Sequence, residues 1–322
     1  MKPNTPFILV PTDCGVANVP GQVYAANESR FAQEFYQEAL TAYTVGWRDP
    51  DLMDLLEFLA PEVQTPRWFQ YKVADNPSAF ISEDDDIRAV GAGFKLLSQV
   101  GTNATAKTLS KGLTMRVDVD EQEGDGWRER KTAYLMRRLV RNEVRRALAV
   151  IVAAATNLGK TWGASGTPDE DIRASLVLGA NASGVRPNRI AFDEGAFDLR
   201  YASYAQQENA GAYAALARSL EQLAQHLGVE AVRTVSARYQ ATSSTKSRVM
   251  TANTVLMFFA ESGMDKDDAS NVKRFVTNSQ GGGRFAVFEE QHAAFTDITV
   301  SHYSLISATS TLGVRQITGS AT

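Results

Sequence analysis

The sequence predicts an α+β fold without internal repeats. Residues 127–157 carry apolar side chains at three- and four-residue steps with arginines on the other side, which indicates one long amphipathic helix. Residues 167–228 contain further helices with recognisable start and end signals. Beyond residue 229, apolar runs bounded by polar or glycine-containing segments predict strands. Helices and strands are therefore expected to share one mixed fold.

Composition limits the class of protein. With 322 residues, 44% of them apolar, the chain slightly exceeds the size of a single core, so we expect two lobes or a core with an extended appendage. The net charge of -4 argues against a generally basic nucleic-acid binder. A single cysteine, Cys14, predicts a reducing compartment and no metal site. The longest apolar run, 147–155, is too short to cross a bilayer, so we expect a soluble protein made in the cytoplasm.

The N-terminal third is expected to extend away from the core. The first 26 residues contain prolines and glycines without sustained periodicity, which predicts an extended arm. Short helices are expected at 28–43 and 51–59. Residues 67–110 then divide into short strand-like pieces separated by polar or glycine-containing turns. Their apolar residues are too scattered for a separate core, so this segment predicts a projecting hairpin.

Two groups of side chains are predicted to contact other subunits. The hairpin carries large apolar residues that it cannot bury alone, so a neighbouring subunit is expected to cover them. The long helix carries arginines that we expect to pair with acids of the same or a neighbouring subunit, with nucleic-acid phosphate as the alternative. The predicted contact residues are Trp68, Phe69, Tyr71, Phe80, Phe94, Arg137, Arg141 and Arg145.

Gly159, Lys160 and Thr161 look like the end of a phosphate-binding loop, but the rest of that motif is missing. The first glycine position of G-x-x-x-x-G-K-[ST] holds Ala154, and the residues before it are predicted to be helical. We interpret Gly159 as a stop just past the end of the long helix, with Lys160 complementing the helix dipole. A helix over 127–157 would span about 46 Å at 1.5 Å per residue.

Local signals predict several later elements. Thr167 and Pro168 predict a helix start, with Glu170 completing a capping box. A turn leads into a strand at 189–192 and a helix capped by Asp193. The last helix, ending at Gly228, is predicted from an apolar stripe of Tyr213, Leu216, Leu220, Leu223 and Leu227.

No pattern in the sequence indicates catalysis. The histidines His226, His292 and His302 lack metal-ligand spacing, so ordinary surface or core positions are expected. The acids at 83–86 predict a solvated turn, and no G-x-S-x-G surrounds a serine. We therefore expect a protein that is not an enzyme and uses no cofactor or metal.

The order of these parts resembles the major capsid proteins of tailed bacteriophages, the Johnson fold. KGLTMRVDV leading into RRLVRNEVRRALAVIV is similar to the approach to the family's spine helix, and TW followed by PDEDIRASL to the first helix of its axial domain. GVRPNRIAFDEGAFDLR resembles the P-N-x-I turn, strand and helix that follow. FVTNSQGGGRFAVFEEQ and DITVSHYSLISATSTLGVRQI resemble the late strands that return to the spine. The likeness spans nearly the whole chain.

This resemblance implies a Johnson-type capsid fold with four regions. They are an N-terminal arm with its helices, an extended β-hairpin loop, a peripheral domain with the spine helix, and an axial domain. The expected boundaries are residues 1–66, 67–110, 111–160 with 263–309, and 161–262 with 310–322, respectively.

The resemblance also implies a mechanical function. Copies of the chain would form pentamers and hexamers of an icosahedral phage head around double-stranded DNA, assembled in the host bacterial cytoplasm. Expected partners are other copies, with a separate scaffolding protein, a portal and decoration proteins as further candidates, and no membrane. No motif fixes the lysine–asparagine cross-link of some relatives, so none is expected.

Two alternatives stay open at this point. One is an encapsulin-like shell that encloses a packaged enzyme, and the other is a nucleotide-binding enzyme that uses Gly159, Lys160 and Thr161.

Overall fold

The computed structural model describes residues 36–73, 87–94, 102–122, 124–240, 245–263, 268–279 and 282–321. The expected arm, the first part of the helix expected at 28–43, the contact residue Phe80 and the acids at 83–86 lie outside these ranges.

The described residues form seven α-helices and one 3-10 turn, Val119–Glu121. The α-helices are α1 (Glu38–Gly46), α2 (Pro50–Leu59), α3 (Trp127–Ala154), α4 (Pro168–Ser183), α5 (Glu194–Ala205), α6 (Ala210–Leu216) and α7 (Leu220–Leu227).

They also form fourteen strands. These are β1 (Glu62–Gln64), β2 (Trp68–Val73), β3 (Thr102–Lys107), β4 (Leu109–Asp118), β5 (Thr156–Thr161), β6 (Arg189–Asp193), β7 (Ala231–Val235), β8 (Arg238–Gln240), β9 (Lys246–Arg248), β10 (Thr254–Phe258), β11 (Val272–Thr277), β12 (Phe285–Gln291), β13 (Phe295–Ala308) and β14 (Arg315–Ser320).

The first sheet is organised around the long strand β13. Antiparallel β4 pairs with one side of β13 from Phe295 to Ser304. On the other side β12 pairs with the first half of β13 and β11 with the second half, and β1 lies parallel to β11. The helix α3 packs on this sheet, and its side chains Met136, Val140 and Val144 are fully or almost fully buried. This packing forms the larger of the hydrophobic cores.

The long helix begins at Trp127 as predicted but ends at Ala154, so it spans about 42 Å rather than about 46 Å. The interpretation of Gly159 as a helix stop was wrong. Ala155 leaves the helix in an extended conformation, and residues 156–161 form β5, which pairs in parallel with β14. The backbone N–H and C=O groups of residues 156–161 find hydrogen-bond partners in β14, more than 150 residues away. The helix therefore ends without a glycine stop.

The second sheet has the strand order β5-β14-β10-β6-β7, and α4, α5 and α7 pack around it. Thr167 precedes α4 and Pro168 begins it, as predicted, but the capping box is not formed. The Thr167 side chain makes no cap hydrogen bond, and its carbonyl accepts from the N–H groups of Glu170 and Asp171 instead. Asp193 caps α5 as predicted, because its Oδ2 accepts from the Gly195 N–H at 2.9 Å.

The apolar stripe from Tyr213 to Leu227 is divided between two helices, α6 and α7. Ser219 interrupts the predicted single helix, because it caps α7 in a full capping box with Gln222. Tyr213, assigned to the stripe, is 59% exposed. Gly228 ends α7 in the left-handed conformation with φ 67°, as predicted.

The division into four regions stays a prediction, but one of its expected boundaries can be compared with the sheets. The expected boundary after residue 160 falls inside β5, a strand of the second sheet. No helix in the described ranges is both long and apolar enough to span a membrane.

Candidate intersubunit surfaces

The base of the hairpin lies on its own subunit through one of its faces. The strands β2 and β3 pair antiparallel, so Phe69 and Tyr71 point to one side. Their rings lie 4.6 and 5.0 Å from the ring of Phe275 in β11, measured between centroids. The Tyr71 hydroxyl lies 2.7 Å from the Ser307 Oγ in β13. Phe69 and Tyr71, expected to contact a neighbour, thus already have partners in the first sheet and are half-buried.

The opposite face of the hairpin is open. Trp68 is 61% exposed, and the Lys107 Nζ lies 4.7 Å from the centre of its ring. Further along the chain, Phe94 is 77% exposed with the Arg88 guanidinium 4.7 Å from its ring. Each ring therefore has a cation from its own subunit on one side while keeping most of its surface available to a partner.

An arginine stripe runs along the face of α3 that points away from the first sheet. It consists of Arg137, Arg138, Arg141 and Arg145, all exposed. The spacing of three and four residues places these side chains on one face, over about 12 Å of helix.

The stripe has few acidic partners within its own subunit. Arg137 lies 3.4 Å from Asp49, and the Arg145 guanidinium lies 4.8 Å from the ring centre of Tyr239. Arg141 makes no ion pair or hydrogen bond within the part of the chain that the structure describes. Positive charge is therefore concentrated on this face, whereas Arg128 and Arg146 of the same helix pair with Glu289 and Glu143.

A buried ionic cluster joins α3 to the first sheet around Glu143. This carboxylate is 2% exposed and accepts from Lys111 at 3.1 Å, Arg146 at 2.8 Å and Ser304 at 2.8 Å. Burial alone would raise the pKa of Glu143, but the nearby positive charges and the Ser304 hydroxyl lower it to about 2.

His302 completes this cluster. Its Nε2 lies 3.9 Å from Glu143, and burial lowers the pKa of His302 to about 4 despite the attraction of that carboxylate. Sequence reasoning placed His302 among ordinary surface or core histidines and did not single out Glu143. The cluster depends on the pairing of β4 with β13, which no local spacing reveals.

A second buried ion pair lies under α4. Asp169 binds Arg200 through both oxygens, at 2.6 and 2.9 Å, and also accepts from Arg218 at 2.9 Å. The adjoining groove has a volume of about 300 Å³ and is also lined by Arg173 and His226. The charges within it largely offset one another, which is the arrangement of a structural tie rather than of an activated catalytic group.

The Gly159 region does not form a phosphate cradle. Gly159 pairs with Thr318 inside a parallel ladder, so its backbone is committed to the second sheet. The Lys160 Nζ lies 2.8 Å from Asp171 Oδ1, which offsets its charge. No group of three or more His, Cys, Asp or Glu side chains suited to a metal ion occurs among the described residues.

Comparison with known proteins gives matches at the level of structure. No protein-family model and no curated protein matches the sequence. The chain is similar to a phage-related protein from Bordetella bronchiseptica RB50, with a TM-score of 0.65 and 14% identity, over 88% of this chain and 96% of that one.

Two further matches have lower TM-scores. The mature capsid of bacteriophage PhiM1 matches with a TM-score of 0.49 and 8% identity, over 83% of this chain and 87% of that one. The virus-like particle from Pyrococcus furiosus matches with a TM-score of 0.48 and 12% identity, over 83% and 95%. The predicted α+β fold and the predicted resemblance to phage capsid proteins are confirmed at the level of the fold.

Proposed function

We propose that this chain is the subunit of a phage-type protein shell and that its function is structural. The fold shared with a phage-related protein, over nearly the full length of both chains, is the observation that carries this proposal. The described residues support it, because their buried charges form ion pairs between elements of the fold rather than a catalytic or metal site.

The finer form of the proposal is an icosahedral phage head. Copies would meet through head-to-tail contacts, which close into rings when the rotation between neighbours permits, here pentamers and hexamers. Double-stranded DNA would be held inside, and a separate scaffolding protein, a portal and decoration proteins are candidate partners. The mature protein would then reside in the virion after assembly in the host bacterial cytoplasm.

The open face of the hairpin and the arginine stripe are the proposed contacts between copies. Trp68 and Phe94 leave large apolar surfaces exposed, and covering each would contribute about 1.5 to 3 kcal/mol. Arg137, Arg141 and Arg145 offer positive charge to acids of a neighbouring copy. Phe69 and Tyr71 have a smaller part in this proposal, because their rings lie against Phe275 of the same subunit.

The proposal is tested by isolating the protein with and without co-expressed phage head proteins, followed by electron microscopy and sedimentation. We expect closed shells or rings of subunits. Compact monomers at every concentration and in every co-expression would overturn the proposal. The content of the shells separates the two kinds of container, because a phage head holds DNA and a portal whereas a nanocompartment holds a packaged enzyme.

A further inference from the structure

A row of polar side chains crosses the first sheet on the face that packs against α3. Lys111 of β4 lies opposite His302 of β13 in the strand register, and Ser304 follows two residues later on the same face. Arg274 of β11 lies opposite Ile306, a further two residues along β13, so it also belongs to this face. The row therefore runs through the larger hydrophobic core, where buried polar groups need partners.

Two ionic clusters make up this row. The first is the cluster around Glu143, on the β4 side. In the second, Glu62 of β1 accepts hydrogen bonds from Arg274 and Arg284, and the Glu57 carboxylate of α2 lies 3.6 Å from the Arg274 guanidinium. Arg274 is 5% exposed, so the second cluster also reaches into the core.

One hydrogen-bond donor of Arg274 has no partner. Its Nη2 donates to Glu62, but its Nε is buried and bonds to no atom of the residues that the structure describes. The Nε of an arginine always carries a proton, because the guanidinium stays charged in proteins. Leaving such a donor buried without an acceptor is strongly disfavoured. The Arg274 Nε therefore needs an acceptor beyond those that the described residues supply.

A small cavity lies between the two clusters. Arg274 and Arg284 line it from the second cluster, and Glu143, His302 and Ser304 line it from the first. It leaves about 10 Å³ for the centre of a water-sized molecule, which is room for about one water. Burial lowers the pKa of Arg274, and the charge of Glu143 partly counters this shift, so the clusters are close enough to interact. The other lining residues are Leu56, Val140, Val276, Phe285 and Tyr303.

The polar groups around the cavity suit water better than an ion. The Arg274 Nε offers a proton, whereas the Glu143 Oε2 offers a lone pair. Within the described ranges, only the Ser304 hydroxyl donates to this oxygen, and a carboxylate oxygen can accept two hydrogen bonds. A ligand that accepts one hydrogen bond and donates another satisfies both groups. Glu143 would repel an anion in this position, and Arg274 would repel a cation.

We propose that this cavity binds one structural water molecule, which accepts from the Arg274 Nε and donates to the Glu143 Oε2. The water links the two clusters, so hydrogen bonds and ion pairs continue across the first sheet from β4 to β1. It also connects α3, which carries Glu143, with β1 and the end of α2. The inference concerns a single folded subunit, so it goes beyond the proposed function and does not depend on it.

Nuclear magnetic resonance of the full chain with isotope-labelled arginine tests this in solution. A water held beside the Arg274 Nε–H gives a cross-relaxation signal with the sign of a dipolar contact rather than of proton exchange. The matched control is Arg200, which is just as deeply buried but donates its Nε–H to Asp169 at 2.6 Å. The two signals are assigned with Arg274→Lys and Arg200→Lys. We expect the water signal at Arg274 and its loss at Arg200, and equal signals at both would overturn the inference.

A density map of the unsubstituted protein covers the case in which a lysine variant does not fold. A crystal structure of free subunits, or a shell reconstruction by electron microscopy, should show one peak about 2.9 Å from the Arg274 Nε. Crystals grown with bromide distinguish water from a halide, because only the halide scatters anomalously. An anomalous peak, a cavity without density or a protein atom bonded to the Arg274 Nε would overturn the inference. None of these outcomes bears on shell formation, so the proposed function is judged separately.

Discussion

The Nε2 of His302 lies 3.9 Å from the carboxylate of Glu143, and both side chains are buried between α3 and the first sheet. Lys111 and Arg146 approach the same carboxylate, so the histidine shares its partner with two permanent cations. A proton on His302 would add a third positive charge to a buried cluster. This explains why burial holds the pKa of His302 at about 4.

The stability of the subunit should therefore decrease when the pH falls below about 6.5. The unfolded chain takes up a proton near the ordinary histidine pKa of 6.5, whereas folded His302 resists protonation down to about pH 4. Between these values the unfolded state binds more protons, so the free energy of unfolding falls by about 3 kcal/mol in total. Glu143 titrates outside this pH range, since its contribution to the free energy of unfolding is lost only as the pH falls from 4.5 toward about 2.

Urea unfolding at pH 7.5 and pH 5 checks this prediction. In His302→Gln, most of the difference in the free energy of unfolding between the two pH values should disappear. In His292→Gln, which changes a more exposed histidine, this difference should remain. An unchanged pH dependence in His302→Gln would show that other groups cause it.

Glu143→Gln should be the most damaging single change in this cluster. It removes the negative charge that offsets Lys111 and Arg146 inside the subunit, and breaking a buried pair in this way costs about 3 to 5 kcal/mol. The matched control is Asp198→Asn on the exposed side of α5, for which we expect a change within about 0.5 kcal/mol. Equal loss of stability in both variants would contradict the role of Glu143 as a tie between α3 and the sheet.

The elements that sequence could predict are those fixed by neighbouring residues. The start of α3 at Trp127 and the caps at Asp193 and Gly228 depend on short-range chemistry. The end of α3 and the fate of Gly159 were mispredicted because β14, far along the chain, recruits residues 156–161 into a sheet.

The same distinction between local and long-range information applies to the candidate intersubunit surfaces. Exposed Trp68 and the arginine stripe were accessible from composition and period, since both depend on which residues an element carries. The contact of Phe69 with Phe275 and the bond between Ser304 and Glu143 were not accessible. Ser304 and Glu143 are 161 residues apart, and only the packing of α3 on β13 brings them together.

Lys160→Ala should leave both folding and assembly intact. The ion pair with Asp171 is partly exposed, with 41% of the Lys160 side chain accessible, and such pairs contribute at most about 1 kcal/mol. Thermal unfolding, electron microscopy and a nucleotide-binding assay check this. If the unsubstituted chain binds nucleotide and Lys160→Ala loses both this binding and shell formation, the result would support the nucleotide-enzyme alternative.

Arg141→Glu should weaken assembly without affecting the folded subunit. Arg141 lies exposed in the middle of the arginine stripe, so its reversal is expected to change the free energy of unfolding by less than about 0.5 kcal/mol. If acids of a neighbouring copy face the stripe, assembly should be impaired most at low salt, where repulsion is least screened. Assembly yields measured against salt concentration, with Arg173→Glu as a control outside the stripe, decide this. Equal yields for the Arg141→Glu and unsubstituted chains at every salt concentration would remove the stripe from the interface.

Substitutions at two neighbouring residues of the hairpin base should affect different properties, stability in one case and shell assembly in the other. Phe69→Ala removes a ring that packs 4.6 Å from Phe275, so it should destabilise the isolated subunit by about 1 to 3 kcal/mol. Trp68→Ala removes a ring that is 61% exposed, so the isolated subunit should be nearly as stable as before while shell assembly is impaired. Chemical unfolding and assembly yield are measured on both variants. Normal assembly of Trp68→Ala would mean that this ring faces solvent in the shell.

Replacing residues 72–107 by a short glycine-serine linker tests the hairpin as a whole. The linker retains Phe69 and Tyr71, which contact Phe275, but it removes β3, the strand that pairs with β2. The cores formed by α3 with the first sheet and by the second sheet are outside the replaced residues. We therefore expect a folded, soluble subunit, shown by a cooperative unfolding transition. Shell assembly should fail, because the shortened chain lacks Phe94 and the rest of the surface proposed to lie across a neighbour, comparable to an interface of about 1,600 Å². If the shortened chain still builds complete shells of normal stability, or cannot fold as a monomer, the hairpin does not hold neighbouring subunits together.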